Sequence, residues 1–218
     1  MDRLERMDNF FTARVDGYDE HMRRTIDGAD TFYKYTASLL PEKENAKILD
    51  LGCGTGLELE ELFKVNPTAG VTGIDLTDAM LKELAAKFPD KDMLLICGSY
   101  FDEPFGESEY DAAVSVESLH HFTKEEKIPL YKKLNESLKD GGYFILTDYF
   151  AGSEEEEISL RQELLRIREE QGLNDDEFYH FDTPLTVEHE KEALMAAGFS
   201  KVEVLNNWTA TYAIKAYK

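Results

Sequence analysis

Residues 48–56 read Ile-Leu-Asp-Leu-Gly-Cys-Gly-Thr-Gly and residues 73–76 read Gly-Ile-Asp-Leu; together they decide the fold of this chain. A short apolar strand runs into three alternate glycines, and a helical pattern begins after them at Leu57. Glycines in such a turn let the backbone bend sharply and leave room for a ligand against the main chain. Asp75, which follows the second strand, can accept hydrogen bonds from a ribose diol. The combination predicts a nucleoside-containing cofactor across the carboxyl ends of adjacent parallel strands.

The glycine spacing separates this site from two common nucleotide-binding motifs. A dinucleotide fingerprint needs G-x-G-x-x-G, but here the third glycine comes one residue early and Leu57 occupies the required position. A P-loop would need a Lys-Ser/Thr pair after its last glycine, and the chain has none there. Glycines alone would also fit a plain strand-to-helix turn. Asp50 before them and Asp75 after them favour the cofactor site.

The overall charge points to a small-molecule substrate. The 218 residues include 24 Lys and Arg against 45 Asp and Glu, a formal net charge of −21. Proteins that hold a phosphate backbone normally carry a basic patch, and this sequence has no cluster of that kind. The acidic run at residues 154–157 is typical of a solvated first helical turn. We therefore expect neither nucleic acid nor an anionic membrane as substrate.

The remaining composition is that of a folded domain in a reducing compartment. No apolar run approaches the ~20 residues of a membrane span, and residues 1–6 are charged with no apolar segment following, as a signal peptide would need. The two cysteines, Cys53 and Cys97, match neither a disulfide framework nor a metal-binding spacing. We expect a cytoplasmic protein. The oligomeric state stays open, a homodimer included.

Strand and helix patterns alternate along most of the chain, which predicts an α/β fold with a mainly parallel sheet covered on both faces. Residues 3–40 are predicted to be helical before the first strand. The predicted strands are 47–51, 70–75, 93–97, 110–116 and 143–149, with a closing hairpin of 201–205 and 208–216 and a turn at Asn206-Asn207. The predicted helices are 57–65, 78–88, 124–138, 154–171 and 186–197.

Residues 50–56 resemble the first motif of class I S-adenosylmethionine-dependent methyltransferases. Further segments resemble later landmarks of that family, namely residues 98–105, 110–115 and 138–144, and the closing hairpin resembles its last strands. The resemblance implies a Rossmann-like fold with a seven-stranded, mostly parallel sheet and an antiparallel last strand. It implies a single methyltransferase domain over residues 1–218. Residues 1–45 would form an N-terminal helical cap and 151–185 a helical insertion, where family members usually carry their acceptor determinants.

The resemblance also implies roles in binding S-adenosylmethionine. The glycine backbones would approach its methionine part and ribose, Asp50 its amino group and Asp75 its ribose hydroxyls. The family commonly has an acid after strand three that accepts from the adenine amino group, and this chain has Ser99 there, a weaker acceptor. The implied cofactor-binding set is Tyr18, Asp50, Gly52, Cys53, Gly54, Gly56, Asp75, Leu76, Gly98, Ser99, Tyr100 and Val116.

The catalytic candidates are Tyr18, His120 and His121. The sulfonium activates its own methyl group, so a general base is needed only if the acceptor must lose a proton. A His-His pair also recurs in this family as a packing or cofactor-orienting feature, and with no third ligand nearby in sequence we expect no metal site. Tyr18 resembles a tyrosine that closes over the cofactor. Aromatic candidates for the acceptor pocket, or equally for the core, are Tyr149, Phe178, Tyr179, His180 and Trp208.

The prediction is methyl transfer to a small-molecule acceptor, with three alternatives. Residues 186–199 resemble enzymes that make carboxy-S-adenosylmethionine for tRNA wobble-uridine modification. That subgroup binds the extra carboxylate partly through an arginine in the preceding loop, and this chain has no arginine between Gly172 and Glu190. A non-catalytic protein that binds the cofactor and a partner is a second alternative. A nicotinamide-dependent oxidoreductase is the most distant one.

Overall fold

The computed structural model describes residues 3–174 and 176–218. In that part of the chain seven strands form one sheet in the order β3-β2-β1-β4-β5-β7-β6. Only β7 runs opposite to the other six strands, and it pairs in antiparallel fashion with both β5 and β6. The predicted Rossmann-like class I fold is confirmed. The strands are β1 Lys47–Leu51, β2 Gly70–Asp75, β3 Met93–Cys97, β4 Tyr110–Val116, β5 Leu138–Tyr149, β6 Lys201–Trp208 and β7 Thr211–Tyr217.

Helices cover both faces of this sheet, as parallel strands require. Neighbouring residues of β1 point into opposite halves of the core, Ile48 into one apolar cluster and Leu49 into the other. None of the helices in the described ranges is long and apolar enough to cross a bilayer. They are α1 Met7–Arg14, α2 Tyr18–Thr25, α3 Ala29–Ser38, α4 Leu57–Val65, α5 Asp78–Lys87, α6 Lys124–Ser137, α7 Glu154–Gln171 and α8 Val187–Ala196, with a 3₁₀ turn at Leu119–His121.

The N-terminal helical region is divided more finely than its apolar pattern predicted. Residues 3–40 form three short helices, and the chain turns at Gly17 and Gly28, whose φ angles are +82° and +79°. Glycine enters this left-handed region without the steric cost that other residues meet. A Cβ on Gly28 would also lie 2.7 Å from Cβ of Trp208. The second glycine thus lets the helical cap pack closely against the C-terminal hairpin.

Two predicted boundaries differ in the structure. The strand predicted over 143–149 begins earlier, at Leu138, and residues 139–142 form an irregularity inside this longer strand, where the pairing with β4 shifts. The hairpin turn lies at Thr209-Ala210 and not at Asn206-Asn207, because both asparagines pair with β7. Asparagine favours turns locally, but ladder pairing with a buried partner strand outweighs that preference.

Candidate cofactor site and adjoining cavity

The glycine loop leaves β1 at Gly52 and enters α4 after Gly56. Gly52, Gly54 and Gly56 have φ angles of +73°, +46° and +77°, a succession that L-residues with side chains rarely adopt. The Gly52 N–H donates to the Ile74 carbonyl at 2.8 Å, which ties the loop to β2. A Cβ on Gly52 would lie 2.0 Å from Ser118 Oγ. The loop is therefore shaped by glycine at each turn and passes directly beside the end of β4.

Asp75 stands at the carboxyl end of β2, against the glycine loop. Its Oδ2 accepts the Gly54 N–H at 2.9 Å, and its Oδ1 accepts the Thr77 N–H at 2.8 Å. Burial raises the pKa of this carboxyl, while the two backbone N–H groups act in the opposite direction. Each carboxylate oxygen keeps a further lone pair for a ligand hydroxyl. Asp75 is held rigidly in the place where a ribose diol was predicted to bind.

A narrow cavity lies between the glycine loop and the carboxyl ends of β2, β3 and β4. Most of the predicted cofactor-binding residues line it, namely Tyr18, Gly52, Gly54, Asp75, Leu76, Gly98, Ser99, Tyr100 and Val116. Three of them do not line it: Asp50 in β1 and Cys53 in the loop are both buried, and Gly56 ends the loop at the start of α4. The cavity is also lined by residues that were not predicted individually from the sequence: Met7, Phe11, Thr77, Met80, Phe101, Glu117, Ser118 and Phe122.

Asp50 is fully buried beneath the loop and pairs with a second buried acid, Glu58. Its carboxyl oxygens receive no N–H or hydroxyl donor from the described residues. Burial and the nearby Glu58 charge raise the pKa of Asp50 well above its usual range, and burial raises the pKa of Glu58 to about 7. A proton shared between the two carboxyls would satisfy one oxygen of each. The predicted contact of Asp50 with the cofactor's amino group stays a prediction.

A large cavity of about 930 Å³ adjoins the narrow one. It is enclosed by α1, α2, the ends of β4 and β5, the β6–β7 hairpin and the loop that precedes α8. Both cavities are lined by the same four residues at their boundary, which are Phe11, Tyr18, Glu117 and His121. A ligand in either cavity therefore lies against side chains that also face the other.

Glu117 is a boundary residue that sequence analysis did not single out. It follows β4 directly with a φ of +49°, and a non-glycine residue in this region is strained. Its Oε1 accepts the Thr211 hydroxyl at 3.0 Å. Burial, with the neighbouring Asp148 charge, raises its pKa to about 7. The available sequence signal was an acid immediately after a strand that is nearly all apolar or small.

Tyr18 also stands at the boundary, as the first residue of α2. Burial and the charge of Asp75 raise its pKa, so the hydroxyl is protonated and can donate. Gly17, in its left-handed conformation, starts the helix and turns Tyr18 toward the strand ends. The predicted closure over the cofactor is geometrically consistent with this place.

The two adjacent histidines have different surroundings. His120 Nδ1 lies 2.6 Å from Asp148 Oδ1, and its Nε2 lies 3.4 Å from Asp182 Oδ1. Burial opposes its charged form, but the two carboxylates outweigh burial and raise its pKa to about 10. Burial and the His120 charge lower the pKa of His121 to about 3. His120 faces the large cavity only, whereas His121 faces both.

The predicted acceptor-pocket aromatics separate into three groups. Tyr149, His180 and Trp208 line the large cavity, and His180 stacks on Phe10 with ring centroids 3.5 Å apart. Phe178 lines the narrow cavity instead. Tyr179 lines neither cavity, because its hydroxyl is engaged with Glu177 and the Asn174 N–H.

Known proteins share both the motif region and the fold. A family model for a methyltransferase domain matches residues 48–142. An uncharacterized methyltransferase of Geobacillus thermodenitrificans is 27% identical over 187 residues, covering 86% of this chain and 83% of that protein. A carboxy-S-adenosyl-L-methionine synthase of Campylobacter fetus is 27% identical over 187 residues, covering 80% and 78%.

A solved structure extends the likeness over nearly the whole chain. Human N-acetylserotonin methyltransferase in complex with S-adenosylmethionine superposes with a TM-score of 0.67 at 16% identity. The match covers 97% of this chain and 56% of the human enzyme, so this chain spans about half of that longer protein. The family match, the relatives and the shared fold agree with the glycine loop and Asp75. The methyltransferase-domain match over residues 48–142, the relatives and the fold together support a class I S-adenosylmethionine-dependent methyltransferase, an enzyme that uses S-adenosylmethionine as its cofactor.

Proposed function

We propose that this enzyme transfers the methyl group of S-adenosylmethionine to a small molecule bound in the large cavity. The observation that carries the proposal is the boundary of four residues common to the narrow and the large cavity. A donor in one cavity and an acceptor in the other would meet there. The volume of about 930 Å³ is ample for a metabolite-sized acceptor. The net charge of −21 further supports an acceptor other than nucleic acid.

In this proposal the narrow cavity holds the donor. Asp75 accepts hydrogen bonds from the ribose hydroxyls while keeping its two backbone N–H partners. Gly52 and Gly54 allow the methionine part to approach the main chain. Ser99 Oγ already accepts the Phe101 N–H at 3.2 Å, which leaves its hydroxyl proton free to donate to a ring nitrogen of adenine. Serine in place of the family's acid would thus donate to a ring nitrogen of adenine, where the acid accepts from the amino group.

Catalysis then depends on alignment more than on proton transfer. Acceptor, methyl group and sulfur must lie in line, and the half-buried boundary residues would hold them there and limit the access of water. Tyr18 and Glu117 stand at that place, one as a hydrogen-bond donor and the other as an acceptor. Glu117 is placed to hold the O–H or N–H of an acceptor whose lone pair faces the methyl group. We assign these roles to Tyr18 and Glu117 because both residues line both cavities.

A labelling experiment tests the proposal even while the acceptor is unidentified. The enzyme is incubated with methyl-labelled S-adenosylmethionine and a cell extract, and label is measured in the ultrafiltrate and in the macromolecular fraction. We expect label in the ultrafiltrate. Ala13 lines the large cavity, so Ala13→Trp should abolish labelling of the ultrafiltrate without weakening donor binding. Ala86→Trp, at an exposed position of α5, should leave the labelling unchanged. Label in protein or RNA would overturn the proposal.

Carboxy-cofactor synthesis is the second candidate, favoured by the relative from Campylobacter fetus. Against it, no arginine lies between Gly172 and Glu190. Mass spectrometry of the ligand that co-purifies with the enzyme distinguishes the two. The methyltransferase proposal predicts S-adenosylmethionine or S-adenosylhomocysteine. A cofactor heavier by one carboxylate would establish the second candidate instead.

A further inference from the structure

Three side chains with metal-binding chemistry meet at the wall of the large cavity. His120 and His121 come from the 3₁₀ turn after β4, and Asp182 comes from the loop that precedes α8. No third metal ligand lies near the histidine pair in the sequence, and in the folded chain Asp182 supplies one. We propose that His120, His121 and Asp182 form a binding site for a divalent transition-metal ion of the zinc class.

The distances between the candidate ligand atoms fit a tetrahedral ion. Two atoms that each lie about 2.0 Å from a tetrahedrally coordinated zinc ion are about 3.3 Å apart. Asp182 Oδ1 lies 3.4 Å from His120 Nε2 and 3.3 Å from His121 Nδ1. All three ligand atoms lie within 4.8 Å of one another. An ion can therefore enter between them with little movement of the side chains, while His121 Nδ1 gives up its contact with the Phe181 carbonyl.

A buried carboxylate orients the first histidine from behind. Asp148 Oδ1 binds His120 Nδ1 at 2.6 Å, which directs Nε2 toward Asp182. Asp148 is itself fixed by the N–H groups of Leu119 at 2.8 Å and Tyr149 at 2.9 Å. Histidine ligands of metals usually have such a partner on the other ring nitrogen, where it sets the tautomer and the ring direction. The cluster thus has the supporting contacts of a metal site as well as its ligands.

The local charge also favours a cation. Carboxyl groups of Glu117, Asp148 and Asp182 surround His120, and Asp148 is almost completely buried. Of the described residues that line the large cavity, Arg14 is the single lysine or arginine, and it is paired with Glu5. Carboxylates gathered in this way attract a divalent cation through their negative charge.

The fourth coordination position would face the large cavity, which both histidines and Asp182 line. Three protein ligands and one open position are the arrangement of a zinc site that binds a reacting group. An oxygen or nitrogen of the acceptor could occupy it, which would lower the pKa of that group and place it beside boundary residue His121. This role rests on the proposed function, whereas ion binding itself does not depend on the acceptor.

Cobalt titration of the purified full-length enzyme tests the site. Co²⁺ bound by two histidines and a carboxylate gives visible absorption bands, and zinc should displace it. We expect Asp182→Asn and His121→Gln to weaken Co²⁺ binding by at least tenfold, and Asp148→Asn to weaken it by about tenfold. Asp182 is 47% exposed, so its variant should fold, which circular dichroism checks.

The control is His189→Gln, which removes a histidine that also lies against two acids, Glu157 and Glu154, outside both cavities. Its Co²⁺ affinity should equal that of the unmodified enzyme. Absence of visible bands, or equal affinity in Asp182→Asn and His189→Gln, would overturn the metal site and leave methyl transfer untouched. Normal Co²⁺ binding with label only in macromolecules would instead refute the proposed function alone.

Discussion

Alanine at Gly52 would place a methyl group where the structure has no room. The φ of +73° is unfavourable for alanine, and the new Cβ would lie 2.0 Å from Ser118 Oγ and 2.6 Å from Ser118 Cβ. Ser118 cannot yield freely, because its Oγ and its carbonyl both lie 3.3 Å from the Tyr100 hydroxyl. Gly17→Ala is the matched control, since Gly17 has a φ of +82° and nothing within 4 Å of its added Cβ.

The expected loss of stability follows from these contacts. The left-handed conformation costs alanine about 1–2 kcal/mol, and crowding at a packed position costs about 1–3 kcal/mol more. Reduced freedom of the unfolded chain returns about 0.4–1 kcal/mol. We therefore expect Gly52→Ala to lower the free energy of unfolding by about 2–4 kcal/mol. Gly17→Ala has the unfavourable φ angle but no close contact at its Cβ, so it should lower the free energy of unfolding by about 1 kcal/mol or less.

Urea unfolding measures both variants, and titration with S-adenosylhomocysteine measures the cavity. Gly52 lines the narrow cavity, so its variant should bind the ligand at least tenfold more weakly even where it is fully folded. Gly17→Ala should bind within about twofold of the unmodified enzyme. Equal stability losses in the two variants, or unchanged ligand binding by Gly52→Ala, would refute the argument that the loop is shaped by close contact.

Three further variants test other parts of the structure. Asp75→Asn sets an amide N–H₂ group against a backbone N–H donor and removes a charged acceptor. The variant should therefore bind S-adenosylmethionine about 30–1,000-fold more weakly, as measured by calorimetry. An unchanged affinity would exclude the ribose contact. Lys127→Met removes the cation that lies 2.6 Å from the buried Glu190 carboxylate, and should lower the free energy of unfolding in urea by about 3–5 kcal/mol. Lys124→Met, in the more exposed ion pair with Glu192, should lower it by less than about 1 kcal/mol. Similar losses in the two variants would contradict the greater importance of the buried pair. Glu58 has a higher pKa in the folded protein than its ordinary 4.5, so the free energy of unfolding should fall as pH rises through about 7. Glu58→Gln should reduce that fall between about pH 5 and about pH 8 by roughly 2 kcal/mol. If stability depends on pH in the same way in both proteins, the raised pKa is ruled out.

The glycine loop and Asp75 could be predicted from sequence because their chemistry is local. A strand end, three glycines and the next strand end are fixed by short-range geometry and by the parallel sheet. The strand order followed from the alternating pattern and the family resemblance. The burial of Asp50 against Glu58 could not be predicted in the same way, because Glu58 reaches it from the helix that follows the loop.

The large cavity could not be predicted, because it is built from segments that meet only in the folded chain. Asp182 reaches His120 and His121 from the loop before α8, and no spacing rule connects those positions. Gly17 and Gly28 divide the N-terminal helices and set how they cover the strand ends. Apolar periodicity reports which face of a helix is buried but not where the helix lies.

Titration of the purified enzyme with S-adenosylmethionine and S-adenosylhomocysteine tests the central claim most directly. Asp75 and the glycine loop line the narrow cavity that we propose as the donor site. We predict that both ligands bind with sub-millimolar dissociation constants. Absence of binding by either ligand at these concentrations would contradict the account of the narrow cavity as the donor site.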